Sequence, residues 1–429
     1  MHRFVIDGGT PLESEITISG AKNAVLPIFA ATLLADGPCL ISNVPELRDV
    51  TTMLKVLEKL GCRWEQEGPG TIRIDPRDVR CYDAPYDLVK TMRASFIVLG
   101  PLLTKYGSAR VSMPGGCAIG VRQVDLHLKG LAVMGARIET DEGYVKATCS
   151  RLRGAEVYLD FPSVGATENI MLAATLAEGI TIIKNAALEP EIADLATFLN
   201  AMGAKITGAG GSVIEITGVT SLLGANHRVI PDRIETGTYA VAAAITRGQL
   251  LLKDAPVSMI ESVIAKLQES GVEVAPRDTG LLVKGPAQIR PVDLTTQPHP
   301  GFPTDLQAPF MAYLTLAAGS STISERIFEN RFLHVAELRR MGADARVQST
   351  SGTVIHGVDH LSGAQVMAGD LRGGASLVLA ALAARGRSEV SRVYHIDRGY
   401  VRMEEKLGRV GARIRREDDR APETRPGQP

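Results

Sequence analysis

The chain has almost no net charge: 47 Lys and Arg face 48 Asp and Glu over 429 residues, a formal −1. That excludes a global basic field for nucleic acid or a membrane surface, so any anionic ligand must be held by a local cluster of cations. Cysteine is sparse too. The five, Cys39, Cys62, Cys81, Cys117 and Cys149, are odd in number and scattered, with no C-x-x-C pair. Such a set argues against a disulfide framework and for a reducing compartment. The 8 histidines are equally scattered, with no H-E-x-x-H and no Cys/His spacing suited to a metal. No Walker A pattern is present. Gly208-Ala209-Gly210-Gly211 lies between two short strand patterns, as a hairpin turn would, and not ahead of a helix as a dinucleotide fingerprint would. Residues 1–7 lack the apolar core of a signal peptide, and no apolar run reaches the roughly 20 residues that span a bilayer. The expectation is a soluble, cytoplasmic protein. With 45% hydrophobic and 22% charged residues, the chain is long enough for two or more globular domains.

What the chain does have is an internal repeat. A helix-ending motif recurs as Lys59-Leu60-Gly61-Cys62, Val133-Met134-Gly135-Ala136, Ala201-Met202-Gly203-Ala204, Glu269-Ser270-Gly271-Val272, Arg340-Met341-Gly342-Ala343 and Arg409-Val410-Gly411-Ala412. The period is roughly 70 residues, longer than that of ordinary solenoids. Each glycine suits the position just past a helix, where φ > 0 is wanted. The helix before the first glycine is amphipathic, with Val50, Met53, Leu54, Leu57 and Leu60 on one face and Asp49 as the expected N-cap. Each repeat also holds an earlier helix that is apolar nearly all round, at 24–35, 94–104, 168–177, 237–246, 306–318 and 374–384. A helix apolar on every face must be buried on every face.

Each unit therefore reads strand, buried helix, strand, loop, amphipathic helix, strand. Grouping the units by three lets the buried helices cover one another inside sheets and amphipathic helices. The predicted fold class is α/β, in two domains of three units, with a boundary near residues 226–232. The polar, Pro-rich segment 416–429 is expected to be a disordered tail.

One loop carries chemistry of its own. Ser112-Met113-Pro114-Gly115-Gly116-Cys117-Ala118-Ile119-Gly120-Val121-Arg122 places a cysteine among glycines, five residues before a cation. It reads either as a reactive thiol on a mobile turn or as a glycine-rich hairpin that contains a cysteine. Charged residues also recur at repeat-equivalent places. Lys22 and Arg93 precede the first two buried helices, and Asp305 and Arg372 the fifth and sixth. Arg122, Arg331 and Arg398 lie in loops after the second strands. A single arginine of this kind is ordinarily a solvated surface residue. Several near helix N-termini, where the dipole already favours anions, point to an anion-binding cleft where the two domains face each other.

These segments, together with Gly20-Ala21-Lys22-Asn23-Ala24, Arg93-Ala94-Ser95, Val124-Asp125-Leu126-His127, Ser163-Val164-Gly165-Ala166-Thr167, Gly301-Phe302-Pro303-Thr304-Asp305, Ile327-Phe328-Glu329-Asn330-Arg331 and His395-Ile396-Asp397-Arg398-Gly399-Tyr400, closely resemble the UDP-N-acetylglucosamine enolpyruvyltransferases (1-carboxyvinyltransferases). The resemblance runs from about Val5 to Ile414, with the motifs in order. It implies the enolpyruvyltransferase fold: two inside-out α/β barrel domains of three units each, the first strands of the chain completing the second domain. The domains would be 22–230, carrying the Cys117 loop, and 1–21 with 231–415.

The implied reaction transfers enolpyruvyl from phosphoenolpyruvate to the 3-hydroxyl of UDP-N-acetylglucosamine and releases phosphate. It is the first committed step of peptidoglycan synthesis, hence of cell-wall biogenesis, cell shape and division. By the resemblance, Lys22, Arg122 and Arg398 hold the phosphate, Arg372 lies near the carboxylate, and Arg331 belongs to the same substrate-binding set. Asn23, Arg93, Gln123, Val124, Asp125, Leu126, Ser163, Val164, Gly165, Asp305 and Ile327 meet the nucleotide sugar. Cys117 resembles the proton donor, and Asp305 either takes the hydroxyl proton or orients the hydroxyl. Gln123 stands where many relatives have Pro, which bears on loop rigidity and uracil packing. No metal, cofactor, nucleic-acid or membrane partner is implied. The related shikimate 3-phosphate enzyme shares the architecture but lacks the cysteine loop. The presence of Lys22, Cys117, Asp305 and Arg398 argues against a catalytically inactive nucleotide-sugar-binding paralogue.

Overall fold

The computed structural model describes residues 2–89, 92–113 and 124–418, with the side chain of Arg93 excepted. Among them are six four-stranded sheets, all assembled by one plan. In the third repeat, the short strand Glu156–Tyr158 runs parallel to Ile180–Lys184. The latter pairs antiparallel with Val213–Thr217, which pairs antiparallel with Lys205–Thr207. Parallel neighbours need a crossover, and the buried helix Val164–Ala174 supplies it. The helix Pro190–Ala201 then leads to the hairpin Lys205–Thr207 and Val213–Thr217. The unit thus has one strand more than the sequence pattern suggests, because the chain after five of the six helix-ending glycines folds back on itself; after Gly411, Arg413–Asp418 pairs instead with the distant strand His2–Asp7. The Gly208–Gly211 turn is that hairpin, closed by the Gly211 N–H on the Gly208 carbonyl at 2.9 Å.

The helix-ending motif has a uniform geometry. Gly61, Gly135, Gly203, Gly271, Gly342 and Gly411 have φ of +110, +97, +105, +101, +93 and +102°. The next residue's N–H reaches back to a leucine carbonyl every time: Leu57, Leu131, Leu199, Leu267, Leu338 and Leu407, at 2.9 to 3.2 Å. This is the Schellman closure, which requires a left-handed residue. Each of those leucines is itself fully buried, so the motif ends the helix and anchors it in one step.

Two compact units result, formed by the described residues of Ser19–Arg233 with Pro298–Gly301, and of Met1–Ile18, Ile234–Gln297 and Phe302–Pro429. In the first, the helices Leu99–Tyr106 and Val164–Ala174 pack together, and Lys22–Ala31 adjoins the 3-10 turn Arg93–Val98. In the second, one apolar core holds Tyr239–Ile245, Phe310–Leu314 and Leu377–Leu382. The sheets surround these helices, the inside-out arrangement of the predicted fold class.

Distant segments complete three of the sheets. Asn226–Arg228, in the region expected as a boundary, is a strand parallel to Cys39–Ser42. Glu13–Thr17 joins Gln249–Lys253 in parallel. His2–Asp7 lies antiparallel between Arg387–Ser391 and Arg413–Asp418. That last strand corrects the expected tail: Arg416, Glu417 and Asp418 are strand, and 419–429 lie outside the described residues. Composition misled because the charges are paired. Arg416 bonds Asp397 at 2.6 Å and Glu404 at 2.6 Å, and Glu417 accepts from Arg3 at 3.2 Å. Asp49 needs a second correction. The helix is Arg48–Leu60, no side chain caps it, and Asp49 sits buried in its first turn, where it binds Lys22.

Candidate active site

In the unit that contains residues 234–297, the candidate residues gather where buried helices begin. Asp305 lies in the 3-10 turn Thr304–Leu306, ahead of Gln307–Leu314. Arg372 is in the first turn of Leu371–Ala383, which Asp370 caps by accepting the Arg372 and Gly373 N–H groups at 3.0 and 2.9 Å. Arg331 precedes Leu333–Arg340. The three side chains meet. Arg331 Nη2 donates to Asp305 Oδ1 at 2.9 Å, and Arg372 Nε and Nη2 donate to Asp305 Oδ2 at 3.1 and 3.0 Å. Both arginine side chains are about 95% buried, whereas Asp305 keeps a quarter of its surface open. Burying guanidiniums without a counter-charge is costly, so Asp305 serves as their anion.

Arg331 also donates to Thr304 Oγ1 at 2.7 Å. Behind it stands Glu325, a fully buried carboxylate that receives Thr304 and Thr296. Sequence reasoning passed over Glu325, since a lone acid at a strand end carries no pattern. His334, on the helix after Arg331, is buried against Met311, and burial pushes its pKa down to about 4. Ile327 is half-buried on the segment after Glu325, and Arg398 is half-buried at the end of the 3-10 turn Val393–Arg398.

In the other unit the same pattern holds. Lys22 and Asn23 open the helix Lys22–Ala31. The Lys22 N–H donates to Asp232 at 3.2 Å, and its ammonium pairs with Asp49 at 2.7 Å, both side chains largely buried. Ser163 caps Val164–Ala174 through the Ala166 N–H at 3.3 Å. Val124 is buried, and Asp125 and Leu126 open the helix Asp125–Val133.

His127 joins those last two groups. Its ring lies so near Gly165 that a Cβ there would stand 3.0 Å from it. Asn169 Oδ1 accepts the Gly100 N–H at 2.7 Å, so its amide nitrogen must donate to His127 Nδ1 at 3.1 Å. Neutral His127 then carries its proton on Nε2, the nitrogen beside Gly165. Cys117, Arg122 and Gln123 lie outside the described residues, as does the side chain of Arg93. Of the described cysteines, Cys39 and Cys62 are buried, and burial pushes the Cys62 thiol up to about 12.

The EPSP synthase (3-phosphoshikimate 1-carboxyvinyltransferase) family profile matches residues 6–407. UDP-N-acetylglucosamine 1-carboxyvinyltransferase of Nitratidesulfovibrio vulgaris is 56% identical over 418 residues, covering 97% of this chain and 100% of its own. UDP-N-acetylglucosamine 1-carboxyvinyltransferase 1 of Caldanaerobacter subterraneus subsp. tengcongensis is 54% identical, covering 96% and 99%. Among solved structures, the enolpyruvyl transferase NikO from Streptomyces tendae matches with a TM-score of 0.88 at 26% identity, covering 97% of this chain and 98% of its own. An EPSP synthase from Acinetobacter baumannii matches with a TM-score of 0.74 at 19% identity, covering 97% and 100%, a likeness of fold alone. With a profile spanning most of its length and relatives more than half identical from end to end, the chain belongs to the EPSP synthase (3-phosphoshikimate 1-carboxyvinyltransferase) family, among its UDP-N-acetylglucosamine 1-carboxyvinyltransferases.

Proposed function

We infer that this chain is a transferase that moves the enolpyruvyl group of phosphoenolpyruvate to the 3-hydroxyl of UDP-N-acetylglucosamine and releases phosphate, the committed step toward peptidoglycan. The observation that carries the reading is the identity of 54–56% over nearly the full length to enzymes of that name. The 3-hydroxyl oxygen bonds to C2 of phosphoenolpyruvate and gives up its proton while C3 takes one from the Cys117 thiol, giving a tetrahedral ketal. A C3 proton then returns to the thiolate and the double bond re-forms as the C2–O bond to phosphate breaks, the hydroxyl proton leaving with the phosphate.

Each residue has a matching task. Cys117 gives the proton to C3. Lys22, Arg122 and Arg398 hold the phosphate, the arginines as bidentate forks. Arg372, fixed by Asp305, lies near the substrate carboxylate. Asn23, Arg93, Val124–Leu126, Ser163–Gly165 and Ile327 take the nucleotide sugar. Asp305 already receives three guanidinium N–H groups, which suits orienting the sugar hydroxyl better than removing its proton.

The test is phosphate release from phosphoenolpyruvate with UDP-N-acetylglucosamine, with shikimate 3-phosphate, or with no acceptor. Release only with the nucleotide sugar, and its loss by about 100-fold or more in Cys117→Ala, is expected for a general acid. Release with shikimate 3-phosphate instead would overturn the reading.

A further inference from the structure

Asp305 and Ile327 sit on separate segments, yet both are read as contacts to the acceptor sugar. One buried group ties them together. Glu325 is 1% exposed. Its Oε1 accepts the Thr296 hydroxyl at 2.6 Å and the backbone N–H groups of Ile327 and Phe328 at 2.8 and 3.1 Å. Its Oε2 accepts the Thr304 hydroxyl at 2.9 Å. Thr304 has then spent its proton, so its oxygen can only accept, and Arg331 Nη1 donates to it at 2.7 Å. Arg331 in turn grips Asp305. The cluster is balanced in charge, Glu325 and Asp305 against Arg331 and Arg372, as burial of four ions requires.

We propose that Glu325 is a positioning residue for the acceptor: one arm, through Thr304 and Arg331, aims Asp305 at the sugar hydroxyl, and the other fixes the Ile327 backbone. The proposal rests on the enolpyruvyl-transfer reading above. Only a carboxylate serves both arms. An amide at this place either presents N–H to the three donors on Oε1 or turns N–H toward Thr304, whose proton then loses its acceptor.

The two arms separate in steady-state kinetics of the full chain, read as phosphate release. Thr304→Val cuts the Asp305 arm alone, and kcat should fall about 10-fold with KM for UDP-N-acetylglucosamine within about two-fold. Thr304→Ser keeps the hydroxyl and should stay within about two-fold of the parent in both. Glu325→Gln keeps the Ile327 arm when its oxygen takes the three donors on the Oε1 side and breaks only the Thr304 arm, so kcat should fall about as in Thr304→Val. Glu325→Ala removes both arms, and KM for the nucleotide sugar should then rise several-fold as well. The double variant Glu325→Gln with Thr304→Val should lose no more kcat than Glu325→Gln alone, since both act through one chain of bonds. Thr304→Val matching Thr304→Ser, or Glu325→Gln that shifts only the melting temperature, would overturn the proposal while the function stands. A parent that releases no phosphate with UDP-N-acetylglucosamine would overturn the function and the proposal together.

Discussion

His334 shows what a single buried residue does to the stability of its unit. It is fully buried beside Met311, and desolvation lowers its pKa from 6.5 to about 4, with Asp370 opposing the shift and Arg331 adding to it. The folded chain therefore keeps it neutral at pH values where the unfolded chain protonates it. Between about pH 6.5 and pH 4 the unfolded state binds the extra proton, so stability falls as the pH falls and levels off below the folded pKa. His334→Gln removes this titration. The melting temperature of the parent should drop more steeply from pH 6.5 to pH 4.5 than that of the variant. Parallel pH profiles would show that His334 contributes nothing to acid sensitivity. The same residue scale explains the ion pairs at the candidate site. Lys22 with Asp49, and Arg331 and Arg372 with Asp305, are cations held ready by carboxylates rather than left bare in the interior.

At the scale of the element, the recurrent unit is a helix closed by leucine and glycine. A Cβ at Gly203 or Gly342 would meet nothing within 4 Å, so Ala there adds only the strain of a left-handed residue. Gly203→Ala and Gly342→Ala should each cost about 1 kcal/mol. At Gly61 the Cβ would stand 2.5 Å from the Asp78 carbonyl oxygen, and backbone there cannot yield cheaply. Gly61→Ala should shift the denaturation midpoint by clearly more than the other two. Equal shifts at all three positions would show that the space around the cap is irrelevant. The element scale also explains the site's location. Crossover helices begin where the short parallel strands end, so equivalent positions in different repeats lie at the same ends of their helices. Asp305, Arg372 and Ser163 occupy such starts, and Lys22 opens the equivalent helix of its repeat, which leads from Glu13–Thr17 to Cys39–Ser42 in another sheet.

At the scale of the whole molecule, the two units differ in how their chain closes. All strands of three sheets fall within Ser19–Arg233, including Asn226–Arg228, which completes the sheet of Cys39–Ser42. A fragment of residues 19–233 should fold alone, with cooperative thermal unfolding and protected amides. Ending it at 222 removes that strand and leaves a bare sheet edge, and the midpoint should fall by several degrees. The other unit draws two strands from residues 2–18. A fragment of residues 234–418 lacks the strand that bridges Arg387–Ser391 and Arg413–Asp418, so it should show no cooperative transition. Cooperative folding of that fragment, or failure of 19–233, would refute this division of labour.

Local sequence determined the repeat, its buried and amphipathic helices and its glycine caps, because each depends on the character of a few neighbouring residues. The resemblance carried the reaction and the candidate residues as far as their identities. Pairing across long stretches of chain was a different matter. No local pattern says that Asn226–Arg228 returns to Cys39–Ser42, or that Arg416 and Glu417 find partners at Asp397, Glu404 and Arg3. Composition makes such charges look solvated until packing supplies the opposite charge. Asp49 read as a cap because its spacing allowed one, and only the fold brought Lys22 within 2.7 Å. Glu325 was silent for the same reason: its role lies in four hydrogen bonds, two of them from threonines 29 and 21 residues away along the chain. Propensity and amphipathicity are written in sequence, whereas the partner of a buried charge is chosen by tertiary structure.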